Sequence, residues 1–146
     1  MSRVFVSAAA GAAVYVFADD HSLRHVHARH RGEGWVARVR FSYADGEVGL
    51  ISIAPLKNMP FQRVVNALLG DVQDQLAQCR RTSWTVRRTS CLENQWAVAS
   101  GTGNLVLHAK RVPNAWQIAE ASYDIVTGQL RVIFRNGTTL DVGTPL

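Results

Sequence analysis

From Trp35 onward, hydrophobic and polar positions alternate. Trp35, Ala37, Val39, Phe41 and Tyr43 fall on one side of an extended chain, and Val36, Arg38, Arg40 and Ser42 on the other. A period of two is that of a strand with one buried face. Ala44-Asp45-Gly46 then interrupts the pattern, and residues 47–53 are predicted to pair back as the second strand of a hairpin. Upstream, residues 4–7 and 14–18 predict short strands joined by the small residues 8–13. Residues 25–30 extend as another strand, which Arg31-Gly32-Glu33-Gly34 ends in a turn.

The period changes after Pro60. Phe61, Val64, Val65, Leu68, Leu69, Val72, Leu76 and Cys79 recur at three and four, which predicts one long amphipathic helix from Pro60 to Arg80-Arg81. Proline at the start suits a first helical turn. Gly70 weakens the middle by about 1 kcal/mol relative to alanine. Strand patterns return at 96–99 and 105–112. A three-stranded meander is predicted over 116–125, 129–134 and 138–142, with turns at Thr127-Gly128 and Asn136-Gly137. The expected class is α+β: a mostly antiparallel sheet with one long helix packed across it and a C-terminal meander.

Composition agrees with a folded chain. Of 146 residues, 47% are hydrophobic and 18% charged, which excludes a disordered tail or a charged coiled coil. The net charge is +5, from 16 basic and 11 acidic side chains, and it is unevenly placed. Residues 1–92 hold twelve basic and seven acidic groups, whereas residues 93–146 hold four of each. The expected division follows: a basic α+β portion over 1–92 and a neutral β-meander portion over 93–146. Fourteen of the sixteen cations are arginine, the better residue for bidentate phosphate contacts. A basic half points to an anionic partner, foremost nucleic acid. The apolar run after Arg3 is shorter than the roughly 20 residues of a membrane span. Cys79 and Cys91 have neither CxxC nor zinc-ribbon spacing, so reduced thiols and a cytoplasmic setting are expected.

Two constellations carry candidate chemistry. Asp19, Asp20, His21, His25, His27 and His30 crowd together, and His25 and His27 share one face of a predicted strand. Two imidazoles that titrate near neutrality suit an acid–base pair for RNA cleavage, with Arg24, Arg29 or Arg31 against the phosphate. The plainer reading is that His21 and His25 fix the loop by hydrogen bonds while the rest of the cluster is exposed. As a zinc site the cluster lacks thiolates and an HExxH motif, and no metal or other cofactor is expected. The second constellation is Arg80, Arg81, Trp84, Arg87 and Arg88, two arginine pairs around a tryptophan just beyond the predicted helix. Arginine with an interleaved aromatic fits phosphate binding plus base stacking. Arg38 and Arg40, on the polar face of their strand, are expected to extend that patch. Gly101-Thr102-Gly103-Asn104 lacks the third glycine of a dinucleotide fingerprint and predicts a turn.

Residues 15–29, with Asp20, His21, His25 and His27 at Asp-His-x-x-x-His-x-His spacing, resemble the start of a small bacterial family, domain of unknown function 4160. Leu23 and Arg24 stand where that family carries two prolines. Leu130-Arg131-Val132-Ile133-Phe134-Arg135-Asn136-Gly137-Thr138 resembles the core of domain of unknown function 2442. The double resemblance implies a toxin–antitoxin or phage-defence setting. The leading expectation is a non-catalytic protein that binds nucleic acid or a nucleoprotein complex through Arg38, Arg40, Arg80, Arg81, Trp84, Arg87 and Arg88. The alternatives are a ribonuclease toxin that uses His25 and His27, and an adaptor or homodimer that pairs with protein through sheet edges. No membrane partner is expected.

Overall fold

The structure is a computed structural model that describes residues 1–18, 24–88, 92, 95–99 and 105–143. Asp19, Asp20, His21, Cys91 and the Gly101–Asn104 turn lie outside the described residues. The chain divides into two compact units, Met1–Ser42 with Gly46–Arg87, and Tyr43–Asp45 with Arg88–Leu146.

The first unit is a five-stranded antiparallel sheet in simple sequence order: β1 (Ser2–Ser7), β2 (Ala12–Val16), β3 (His25–Arg29), β4 (Val36–Phe41) and β5 (Val48–Ala54). Alternation governs which side each residue faces. Val14, Val16, Val26, Ala28, Ala37 and Val39 are all at most 1% exposed. Two helices cover that face. α1 (Gln62–Asp74) packs against β5, and α2 (Leu76–Arg87) against β1 and β2. Val65, Leu68 and Val72 of α1 and Cys79 of α2 complete the core. Each large aliphatic side chain so buried contributes about 1.5–3 kcal/mol. Ser7 at the end of β1 donates its hydroxyl proton to Asp71 of α1, Oγ to Oδ2 at 2.6 Å.

The predicted single helix is thus corrected to two, and the fold is β-dominated. The break falls at Gln75, whose φ of −102° and ψ of 23° leave the helical range. β5 and β1 are opposite edges of the sheet, so the chain must change direction to cover both. A one-residue kink hardly disturbs the three–four periodicity, which therefore runs through it unchanged. At about 1.5 Å per residue each helix spans roughly 20 Å, against roughly 33 Å for one rod. α2 also runs on to Arg87, through Thr82, Thr85 and Val86, where packing prevails over weak helix propensity.

The second unit holds another five-stranded antiparallel sheet, in the order β10-β9-β8-β6-β7. Its strands are β6 (Trp96–Ala99), β7 (Leu105–His108), β8 (Trp116–Tyr123), β9 (Gln129–Phe134) and β10 (Thr139–Gly143). The predicted meander is β8-β9-β10, but β6 extends it by pairing with β8, so it is part of a larger sheet. Ile118, Ala121, Tyr123, Leu130, Val132 and Phe134 form its buried face. Both turns depend on an Asx side chain. Asp124 Oδ1 accepts from the amides of Val126 and Thr127 at 2.8 and 3.2 Å. Asn136 Oδ1 accepts from Thr138 at 2.9 Å, and Gly137 takes the left-handed φ of 87° that the hairpin requires. The backbone bonds hold the Asp124 carboxyl below the ordinary aspartate range.

Candidate functional site

The helices cover one side of the first sheet, and the other side presents exposed arginines. Register determines which residues meet there. Residues directly opposite in antiparallel strands share a face. Arg3 pairs with Tyr15, Tyr15 with His27, His27 with Arg38, and Arg38 with Ser52. One cross-strand row therefore runs Arg3, Tyr15, His27, Arg38, Ser52 over all five strands. A second row brings His25 opposite Arg40, and Arg40 opposite Gly49. A third places Val6, Ala13, Arg29, Val36 and Ala54 in line. Arg3, Arg29, Arg38 and Arg40 are exposed, and Tyr15, His25 and His27 are half-exposed between them.

Local contacts shape this face. A β-carbon at Gly49 would stand 2.7 Å from Arg40 Nε, so the bare backbone of β5 is what lets the Arg40 side chain lie across it. His25 Nε2 and His27 Nε2 are 3.1 Å apart, so one ring donates to the other. Phe17 meets the His27 ring edge-on, with centroids 4.5 Å apart. The strand spacing that puts the two histidines on one face also brings them into contact. His30 has a structural part instead: its Nδ1 accepts from the Glu33 amide at 2.9 Å, and its ring lies against Trp35 and Gly11.

The arginine cluster of α2 is divided by the helix. Arg80 faces inward, 4% exposed, and its Nε donates to the Ser42 carbonyl at 2.8 Å. It is engaged with backbone and not offered to solvent. Arg81, Trp84 and Arg87 are half-buried, and Arg88 is exposed just past the helix with a left-handed φ of 48°. Arg80, Arg81, Trp84 and Arg87 belong to the helical layer, so Arg38 and Arg40 do not extend their patch. Arg38 and Arg40 join His25 and His27 on the opposite side of the sheet. Arg3, Tyr15 and Arg29 complete the open face and were absent from the expected binding set. Tyr15 has a sequence signal, because it alternates with Val14 and Val16, but its juxtaposition with His27 and Arg38 arises only from pairing.

The remaining candidate chemistry is quiet. Burial pushes the Cys79 thiol up to about 12, so it is protonated at neutral pH and is a poor nucleophile. Among the described residues, no three His, Cys, Asp or Glu side chains gather as a metal site. No helix among them is long and apolar enough to cross a membrane. Edge strands β1 and β5 both carry bulges, near Val4 and Ile51, which blunt an edge against pairing with another chain. Compared with protein-family models, curated proteins and solved structures, the chain matches none of them.

Proposed function

We propose that this protein is a non-catalytic binder of nucleic acid that acts through the open face of its first sheet. The observation that carries the reading is the set of in-register rows, which brings Arg3, Arg29, Arg38 and Arg40 around Tyr15, His25 and His27. Guanidinium groups neutralise phosphates, and aromatic and imidazole rings offer flat surfaces on which bases stack. A sheet whose second side exposes Arg3, Arg29, Arg38 and Arg40 is a surface for a long anion. The resemblance of residues 15–29 and 130–138 to the two small bacterial families supports a toxin–antitoxin or phage-defence setting for this activity.

The test is a fluorescence-anisotropy titration of labelled DNA and RNA at two or more salt concentrations. Arg38→Glu with Arg40→Glu should weaken binding, and the slope of log affinity against log salt should become shallower by about one for each phosphate no longer neutralised. Unchanged affinity in that double variant, with the fold intact, would remove the sheet face from consideration.

A further inference from the structure

At the β1–β2 end of the same face lies a depression of about 280 Å³, lined by Val6, Gly11, Ala13, Tyr15, Arg29 and Arg31. Val6 pairs with Ala13 and Ala13 with Arg29, so apolar side chains adjoin a guanidinium within one row. Val6 is 57% exposed, an apolar side chain left open beside the arginines of this face. Tyr15 stands two residues along β2 from Ala13 and so on the same side. Arg31 enters from the turn after β3.

The turn beside the depression is held in place. Gly11 has a φ of 65°, and a β-carbon there would stand 2.9 Å from His30 Nε2. The His30 ring therefore rests on bare backbone and ties the β1–β2 turn to the turn after β3. This keeps the Arg29–Arg31 side of the depression near its Val6–Ala13 side.

Its volume is just below the roughly 300–1,000 Å³ of pockets that enclose drug-sized molecules, which leaves room for a ring system. An apolar floor, a tyrosine ring and two guanidinium groups call for a flat ring that carries an anion. A nucleobase with its flanking phosphate has that chemistry. In a duplex the base faces are already stacked and inaccessible, so only an unpaired base can enter.

We infer that this depression is a nucleobase subsite, which stacks one unpaired base on Tyr15 and holds the adjoining phosphates with Arg29 and Arg31. The protein is thereby a reader of single strands in preference to duplex. The inference rests on the nucleic-acid reading above and adds the strandedness of the ligand.

The experiment uses the full chain with labelled oligothymidylate and oligouridylate of about 12 nucleotides, and a duplex of equal length. Wild type should bind the single strands more tightly. Tyr15→Ala should weaken single-strand binding roughly tenfold, well beyond any loss of duplex binding, and Tyr15→Phe should retain wild-type affinity. Arg38→Glu with Arg40→Glu should weaken both. If Tyr15→Ala binds single strands like wild type while the double arginine variant does not, the subsite is overturned and the sheet-face reading stands. Equal wild-type affinity for duplex and single strand also overturns the subsite. No binding to either overturns both readings. Photocrosslinking of the native chain to 5-iodouridine oligonucleotides decides the matter if Tyr15→Ala fails to fold. An adduct on the Tyr15 peptide is expected, and adducts only elsewhere refute the assignment.

Discussion

Arginine has two opposite uses in the first unit. Arg38 and Arg40 project from alternate positions of a strand whose other side is buried, so their charges reach solvent. Arg80 faces the core and donates to the Ser42 carbonyl. The pair of uses gives a discriminating expectation. Arg80→Ala should cost about 1–3 kcal/mol, the range for losing a buried hydrogen bond to a charged group. Thermal unfolding would show a fall of several degrees, while nucleic-acid affinity per folded molecule should be unchanged. Weaker binding at unaltered stability would return Arg80 to the binding surface. Composition reveals fourteen arginines but not which way each one faces. For Arg38 and Arg40 the strand period supplies that direction. For Arg80 the helical phase is plain, but inward-facing arginine at that phase is legible only once the Ser42 carbonyl is seen beside it.

At the scale of elements, strand prediction rests on firm local physics. Alternation from Trp35 to Tyr43 yields β4 with the expected face buried, and Asn136-Gly137 yields the hairpin between β9 and β10. The helix pattern is less complete, because period alone does not record the direction of the axis. Gly70 illustrates the remaining local leverage. It lies in α1, exposed, and an added β-carbon would meet nothing within 4 Å. Gly70→Ala should therefore stabilise the protein by about 0.4–1 kcal/mol, by restricting the unfolded chain and favouring the helix. Chemical denaturation should show the midpoint rising with an unchanged slope. A fall in the midpoint would mean that the helix tolerates no side chain there. On the second sheet, the exposed pair of Arg131 and Asp141, at 2.9 Å, lowers the aspartate from its usual range through the hydrogen bond it receives. Such exposed pairs contribute little to stability.

For the whole molecule, the charge partition follows the two units. The first carries eleven basic and six acidic side chains, a net of +5, and the second carries five of each. The unit with the open basic face thus holds the entire excess. This separates a local footprint from a diffuse field. Arg111→Gln with Arg135→Gln, in the second unit, removes the same total charge as Arg38→Gln with Arg40→Gln. Measured side by side in the anisotropy assay, the second-unit variant should bind within about twofold of wild type, since affinity and its salt dependence follow the charges that neutralise phosphates and not the total charge. Equal losses in the two variants would mean that net charge, and not the sheet face, attracts the ligand.

The sequence by itself determined where strands form, the turns at Asp45-Gly46, Gly128 and Asn136-Gly137, the buried side of β4 and the basic bias of the first two-thirds. All of these follow from local periodicity, turn chemistry and counting. It placed His25 and His27 on one face of a strand and Arg38 and Arg40 on one face of another. Only the tertiary structure decided that these two faces are the same one, that Tyr15 and Arg3 stand in row with them, and that Arg80 is on the far side. The physical reason is register. Which residue of one strand lies opposite which residue of the next depends on backbone hydrogen bonds between segments distant in sequence. The helix breaks at Gln75 for a similarly non-local reason, because the two edges of the sheet it must cover exist only after the strands have paired.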